Sequence, residues 1–220
     1  FNMMMELFET GEISVGILDS IGAMVSTQSN EKDIGERTYG GISMSLTEFS
    51  KKVTPILART DAILIGINQV RDDMNSMYGG TTTTGGKAWR HACTTRLEFR
   101  KGNYIDEQGK NLSRSCENPA GNIVNVALTK SKICRADRKV GFYTLRYLDG
   151  IDYISDAIDV GIKLGLLNQA GAWFYLVDLE SGEISKDEKF QGKYNLIKYY
   201  QDNKEAYDKT VETGKVTFFS

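Results

Sequence analysis

A mixed α/β fold, with a mostly parallel sheet completed by antiparallel strands and a small α+β domain behind it, is predicted by three observations. Two short apolar runs, ISVGILD (residues 13–19) and AILIGIN (62–68), have the composition of strands buried on both faces. A stretch of helical spacing precedes each, and helix before strand, twice over, is the order of parallel strands joined by crossover helices. Around Asp149-Gly150 the pattern changes, so residues 1–150 are expected to form one domain and residues 151–220 a second, smaller one.

Taken in order, residues 3–8 (MMMELF) read as the middle of a helix with no capping residue ahead. Phe1 is no initiator either, and the chain is expected to begin inside a longer protein. The first strand ends in Asp19, and a polar stretch without periodicity covers residues 26–37. Leu46, Phe49, Val53, Ile56 and Leu57 fall on one helical face. Pro55 lies within that helix and is expected to kink or restart it, because it lacks an N–H. After the second strand, residues 71–86 form a Gly/Thr-rich loop too long for a turn. Residues 94–101, 122–128 and 141–147 alternate as strands of a meander completing the sheet. Ile151, Ile154, Ile158, Ile162 and Gly165 trace a helical stripe, residues 172–184 a hairpin turning at Glu180-Ser181-Gly182, and residues 193–213 a polar helical tail.

Composition narrows the function. Of 220 residues 40% are hydrophobic and 25% charged, enough apolar material for a core. The formal net charge of −2 hides an asymmetry: residues 1–150 carry 19 basic and 17 acidic side chains, residues 151–220 carry 8 and 12. Any nucleic-acid surface is therefore local. No apolar run approaches the roughly 20 residues of a membrane span, and the start lacks the basic residues of a signal peptide. Cys93, Cys116 and Cys134 lack CxxC spacing and read as reduced thiols of a cytosolic protein. A single His excludes a His-based zinc site.

Three constellations could carry chemistry. Asp19 ends an apolar strand, where a carboxylate holds nucleotide-linked Mg²⁺ through water; an acid that merely closes a strand is the bland alternative. A phosphate cradle of the form G-x-x-x-x-G-K-[ST] is not found: GTTTTGGKA (80–88) has Gly86 where Lys is needed and Ala88 after the Lys. That tract instead combines Tyr78, a run of Thr hydroxyls and bare Gly amides, flanked by Arg71, Lys87 and Arg90. Such groups suit phosphates and a stacked base, and a flexible linker is the alternative. Lys130, Lys132, Arg135, Arg138 and Lys139 form a second basic cluster, a solvated turn or a phosphate contact. His91, Trp89 and Trp173 read as surface or packing residues.

In order, these pieces resemble a RecA-type recombinase over nearly the whole chain. ISVGILDS is similar to that family's Walker B strand, INQVR (67–71) to its strand-end motif, and MYGGTTTTGG (77–86) to its second DNA loop. TKSK (129–132) resembles its lysine pair, and the segment 150–175 with its AGAWF resembles the entry to the C-terminal domain of bacterial RecA. The resemblance implies a RecA-like P-loop ATPase core that uses ATP and Mg²⁺. Asp19 and Ser20 would support Mg²⁺–ATP, with Asp19 acting on the metal through water. Gln69 would sense the γ-phosphate, and Lys130 and Lys132 would reach ATP on a neighbouring protomer. Arg71, Tyr78, Thr82, Thr83, Thr84, Gly85, Gly86 and Arg90 would hold single-stranded DNA, with Gly35, Tyr39 and Lys51 in the segment resembling the first DNA loop and its helix. Met44 replaces a DNA-contacting Arg common in the family, and His91 an aromatic residue. The second loop is a residue short and lacks the usual Pro-Glu, and residues 101–121 look expanded.

The implied function is a cytoplasmic, nucleoid-associated, DNA-dependent ATPase that forms helical filaments on single-stranded DNA and pairs it with duplex DNA for strand exchange. The Walker A loop, the catalytic glutamate and the polymerisation segment are expected upstream of Phe1, so these 220 residues alone are expected not to hydrolyse ATP. Competing readings are a non-catalytic paralogue that caps or mediates filaments and a RecA-core ring helicase.

Overall fold

In the computed structural model, which describes residues 1–24, 41–72, 80–113, 115–134, 140–178 and 181–219, the chain forms two compact units, Phe1–Thr95 and Arg96–Ser220. The first unit runs α1 (Asn2–Glu9), β1 (Val15–Leu18), a 3₁₀ turn (Ile21–Ala23), α2 (Gly41–Thr60), β2 (Ile63–Gly66), β3 (Val70–Asp72), β4 (Thr81–Thr83) and α3 (Gly86–Ala92).

The stripe read from the sequence is the buried face of α2: Leu46, Phe49, Val53 and Ile56 pack with Phe8, Ile21 and Trp89 into one core. Phe1 stacks on Phe49 at 4.3 Å between ring centroids. Pro55 does not end α2. The carbonyl it deprives of a partner belongs to Lys51, an exposed residue whose backbone water can satisfy. The same helix carries hydroxyls bonded back to the preceding turn, Thr47 to the Ser43 carbonyl and Thr54 to the Ser50 carbonyl, both at 2.7 Å.

β1 and β2 pair in parallel and in step, Val15 opposite Ile63 and Leu18 opposite Gly66. One face meets the core. The other carries Val15, Ile17, Ile63 and Ile65, each between 46% and 60% exposed.

The second unit holds an antiparallel sheet in the order β6-β5-β7-β8-β9, from β5 (Thr95–Ile105), β6 (Asn111–Leu112), β7 (Gly121–Ser131), β8 (Val140–Arg146) and β9 (Gly150–Ile151). Parallel pairing among the described strands is thus confined to β1–β2, and the expected meander forms a sheet of its own rather than the edge of the parallel one. Strands joined by short connections find one another without a crossover helix.

Behind it come α4 (Tyr153–Leu164), β10 (Leu167–Ala170), β11 (Trp173–Val177), β12 (Ile184–Gln191), α5 (Lys193–Asp202) and α6 (Lys204–Phe219). Asp152 caps α4, its Oδ1 accepting the Ser155 N–H at 2.9 Å, while its Oδ2 accepts from Arg146 Nε of β8 at 2.7 Å. Gly165, read as part of the helical stripe, instead stops α4 with φ of 75°. β10, β11 and β12 form a meander packed on α4 and α5 through Ile158, Leu167, Phe174, Leu196, Ile197 and Tyr200. The single helix expected over residues 193–213 is two, broken at Asn203 (φ −123°, ψ 75°). No described helix is long and apolar enough to cross a membrane.

Candidate functional site

The in-step pairing of β1 and β2 brings two candidate segments to one edge. Beyond the last paired residues, the Ile67 N–H donates to the Leu18 carbonyl and the Ile21 N–H donates to the Ile67 carbonyl, both at 2.9 Å. Asp19 and Ser20 therefore lie beside the connector 67–69 at the carboxyl ends of parallel strands, where ligands of open α/β sheets bind. Asp19 is exposed, Ser20 is half-buried, and Gln69 is exposed.

What fixes this edge is close packing beneath it. Ile21 is fully buried under Gly66. A methyl group on Gly66 would come within 2.6 Å of the Trp89 ring and 2.8 Å of Ile21 Cδ1, so only glycine fits. Trp89 in turn sits on α3, the helix that leaves the Thr/Gly tract. One indole thus supports both the strand end and the exit of the loop.

The loop itself has an ordered stem. Val70, Arg71 and Asp72 of β3 pair with Thr83, Thr82 and Thr81 of β4, so Arg71 stands opposite Thr82. Gly85 and Gly86 follow with φ of 104° and 71°, left-handed values that favour glycine. A methyl group on Gly22 would lie 3.8 Å from Asn68 Oδ1 and 3.9 Å from both Arg71 Nη2 and Thr84 Oγ1. Three polar side chains from three segments therefore converge over a glycine of the turn that follows Asp19-Ser20. Of the three, Arg71 and Thr84 offer a cation and a hydroxyl that suit a phosphate, whereas Asn68 presents an oxygen that accepts the Gln69 N–H and has no proton to give.

Asn68 was not singled out in the sequence. Its Nδ2 donates to the Thr84 carbonyl at 2.7 Å, and its Oδ1 accepts the Gln69 N–H at 2.9 Å. A polar residue directly after a buried-type strand was the available signal; its partner 16 residues away was not readable. Gly66 also had a signal, since glycine inside a strand marks close approach.

The remaining predicted residues fall as follows. Lys51 is exposed on α2, and Arg90 of α3 donates from Nε to the Gly86 carbonyl at 3.3 Å. Lys130, half-buried near the end of β7, and Lys132, exposed just beyond it, belong to the second unit. Ser131 Oγ accepts the N–H groups of Ile133 and Cys134 at 3.2 and 3.1 Å, which turns the chain after β7. Gly35, Tyr39 and Tyr78 lie outside the described residues, as do Arg135, Arg138 and Lys139.

Among the described residues no group of three His, Cys, Asp or Glu side chains could cage a metal. The donor set at Asp19 and Ser20, one exposed carboxylate and one hydroxyl, fits Mg²⁺, which keeps several waters and needs one or two carboxylates beside substrate phosphates.

Comparison with known proteins decides the family. The RecA N-terminal domain family matches residues 1–152. The chain belongs to the RecA family. It is 31% identical over 198 residues to Protein RecA of Wolbachia sp. subsp. Drosophila simulans (strain wRi), covering 90% of this chain and 51% of that protein. Protein RecA of Cytophaga hutchinsonii is 29% identical over 203 residues, covering 92% of this chain and 53% of that protein. For Thermotoga maritima the figures are 28% over 201 residues, 91% and 53%. This RecA-family chain spans about half the length of the curated relatives it matches, and its mixed α/β structure is consistent with a RecA-like fold.

Proposed function

We propose that this chain is part of a DNA-dependent ATPase recombinase that assembles as a filament on single-stranded DNA and exchanges strands with a duplex. The observation that carries the reading is the hydrogen-bonded continuity between the strand edge bearing Asp19 and the stem bearing Arg71 and residues 82–86. A nucleotide at the edge and a nucleic acid at the stem would share one rigid support.

In this reading residues 1–150 complete a P-loop ATPase core, whose remaining layer covers the apolar face of Val15, Ile17, Ile63 and Ile65, and residues 151–220 form a small C-terminal domain. Asp19, through water, and Ser20 beside it would hold Mg²⁺–ATP, and the metal would neutralise charge on the phosphates. Gln69 feels the terminal phosphate from the edge of the sheet. Lys130 and Lys132 place positive charge on the ATP of a neighbouring protomer, where it stabilises charge on the transferring group and ties hydrolysis to assembly. Arg71, Tyr78, Thr82, Thr83, Thr84, Gly85, Gly86 and Arg90 hold the single strand, with Gly35, Tyr39 and Lys51 at a second loop. The protein works in the cytoplasm on nucleoid DNA.

The test uses the intact protein. Single-stranded DNA should stimulate ATPase activity, and electron microscopy should show helical filaments. Lys130→Ala combined with Lys132→Ala should abolish the stimulation while DNA binding at low salt persists. Retained stimulation removes the trans role, and closed rings on DNA overturn the recombinase reading in favour of a ring ATPase.

A further inference from the structure

Asn68 occupies the short connector between β2, which ends at Gly66, and β3, which begins at Val70. Both ends of its amide are engaged. With Oδ1 accepting the Gln69 N–H, the side chain is locked to its own connector, and this leaves Nδ2 as the donor facing Thr84.

The carbonyl it holds stands at a particular place. The β3–β4 ladder ends at the Val70–Thr83 pair, and the left-handed Gly85 and Gly86 begin directly after Thr84. Thr84 is therefore the one residue between the ladder and the glycines, and the Asn68 amide fastens it to the strand edge. On the other side, the backbone N–H of Gln69 is bonded to the same amide. A displacement of the 67–69 connector is thereby handed to the Thr84 peptide through a single planar group.

We propose that Asn68 is a positioning residue that couples nucleotide occupancy at the strand edge to the single-strand-binding geometry of residues 82–86. The inference rests on the function proposed above. Asn68 touches neither ligand; it sets the Thr84 peptide, and through it the two glycines, according to where the connector lies. Because such coupling is a free energy shared by two sites, DNA should tighten nucleotide by the same factor that nucleotide tightens DNA.

The intact protein is titrated with a fluorescent oligothymidylate, with and without a slowly hydrolysed ATP analogue, as wild type, Asn68→Asp and Asn68→Ala. The aspartate keeps the acceptor for the Gln69 N–H and presents an oxygen to the Thr84 carbonyl. The alanine removes both bonds. The nucleotide should tighten DNA binding to the wild type on the order of tenfold or more. In the variants that ratio should fall towards one, with wild-type Tm and a much smaller change in nucleotide-free affinity. A folded variant of either kind that keeps the wild-type ratio overturns the proposal. Equal loss of DNA affinity with and without nucleotide also overturns it, since Asn68 would then act as a contact or a scaffold. A wild-type ratio of one would instead refute the recombinase reading on which the proposal stands.

Discussion

The two units solve the same problem, burying a sheet, in different ways. The meander β10-β11-β12 is made of neighbours in sequence, and its covering helices α4 and α5 follow or precede it directly; Ile158, Leu196 and Tyr200 are sealed at 0–2% exposure. The pair β1–β2 is parallel, needs α2 to return the chain, and leaves an apolar face open. Local antiparallel pairing closes its own core, whereas parallel strands depend on layers supplied from elsewhere. Most residues of the proposed nucleotide and DNA sites, Asp19, Ser20, Gln69, Arg71 and residues 82–86, sit on the dependent side, whereas Lys130 and Lys132 belong to the second unit.

If the small meander is self-sufficient, deleting its largest sealed side chain should be costly. Tyr200→Ala removes a ring in contact with Tyr199 and Tyr207 and a hydroxyl paired with Thr210 at 3.1 Å. It should destabilise by about 3–5 kcal/mol, read by denaturant unfolding of the intact protein. A loss below about 1 kcal/mol would mean that this core is looser than its burial implies. Gly66→Ala should cost less, about 1–3 kcal/mol, because Trp89 and Ile21 must yield to a methyl group. No loss would show that the strand edge deforms freely, against the rigid support argued for it.

The smallest effect concerns charge. Burial and the neighbouring Asp159 raise the Asp156 carboxyl above its ordinary value, with Lys193 and Lys163 opposing. A raised carboxyl binds its proton more readily in the folded state, so the stability linked to it falls as pH rises from the ordinary carboxylate range through the raised value. Asp156→Asn should remove that fall and stabilise at neutral pH, but solvent screening limits the gain to about 0.5 kcal/mol. A melting temperature higher by about one or two degrees near pH 7, with no gain near pH 3, is the expected result. A pH-independent gain would assign the effect to packing.

The sequence made the strands β1 and β2 and the face of α2 legible, because continuous apolar runs and the Leu46-Phe49-Val53-Ile56 spacing answer directly to burial. The stems β3 and β4 were hidden, since Thr and Gly compose loops as readily as short edge strands. β10 was masked by a segment, GLLNQA, that continues the apolar content of the preceding helix, and only the left-handed Gly165 separates them. The break at Asn203 was equally silent, for the polar tail has helical propensity on both sides. Asp19, Gln69 and the Thr/Gly tract stand out in the sequence as candidate motifs, and the structure places them at one edge and its adjoining stem, but the Asn68–Thr84 bond and the packing on Gly66 depend on contacts between segments far apart in sequence.

The placement of Trp89 has an optical consequence. The chain contains two tryptophans, and the other, Trp173, is 37% exposed on β11 with Lys189 Nζ 5.8 Å from its ring centroid. Trp89 is 8% exposed, wedged between the last residue of β2 and the glycines that open α3. Ultraviolet emission of this chain therefore divides between a water-quenched indole in one unit and a shielded indole in the other. With Trp173 replaced by Phe, the remaining fluorescence watches the junction of the β1–β2 edge and the β3–β4 stem without any attached dye.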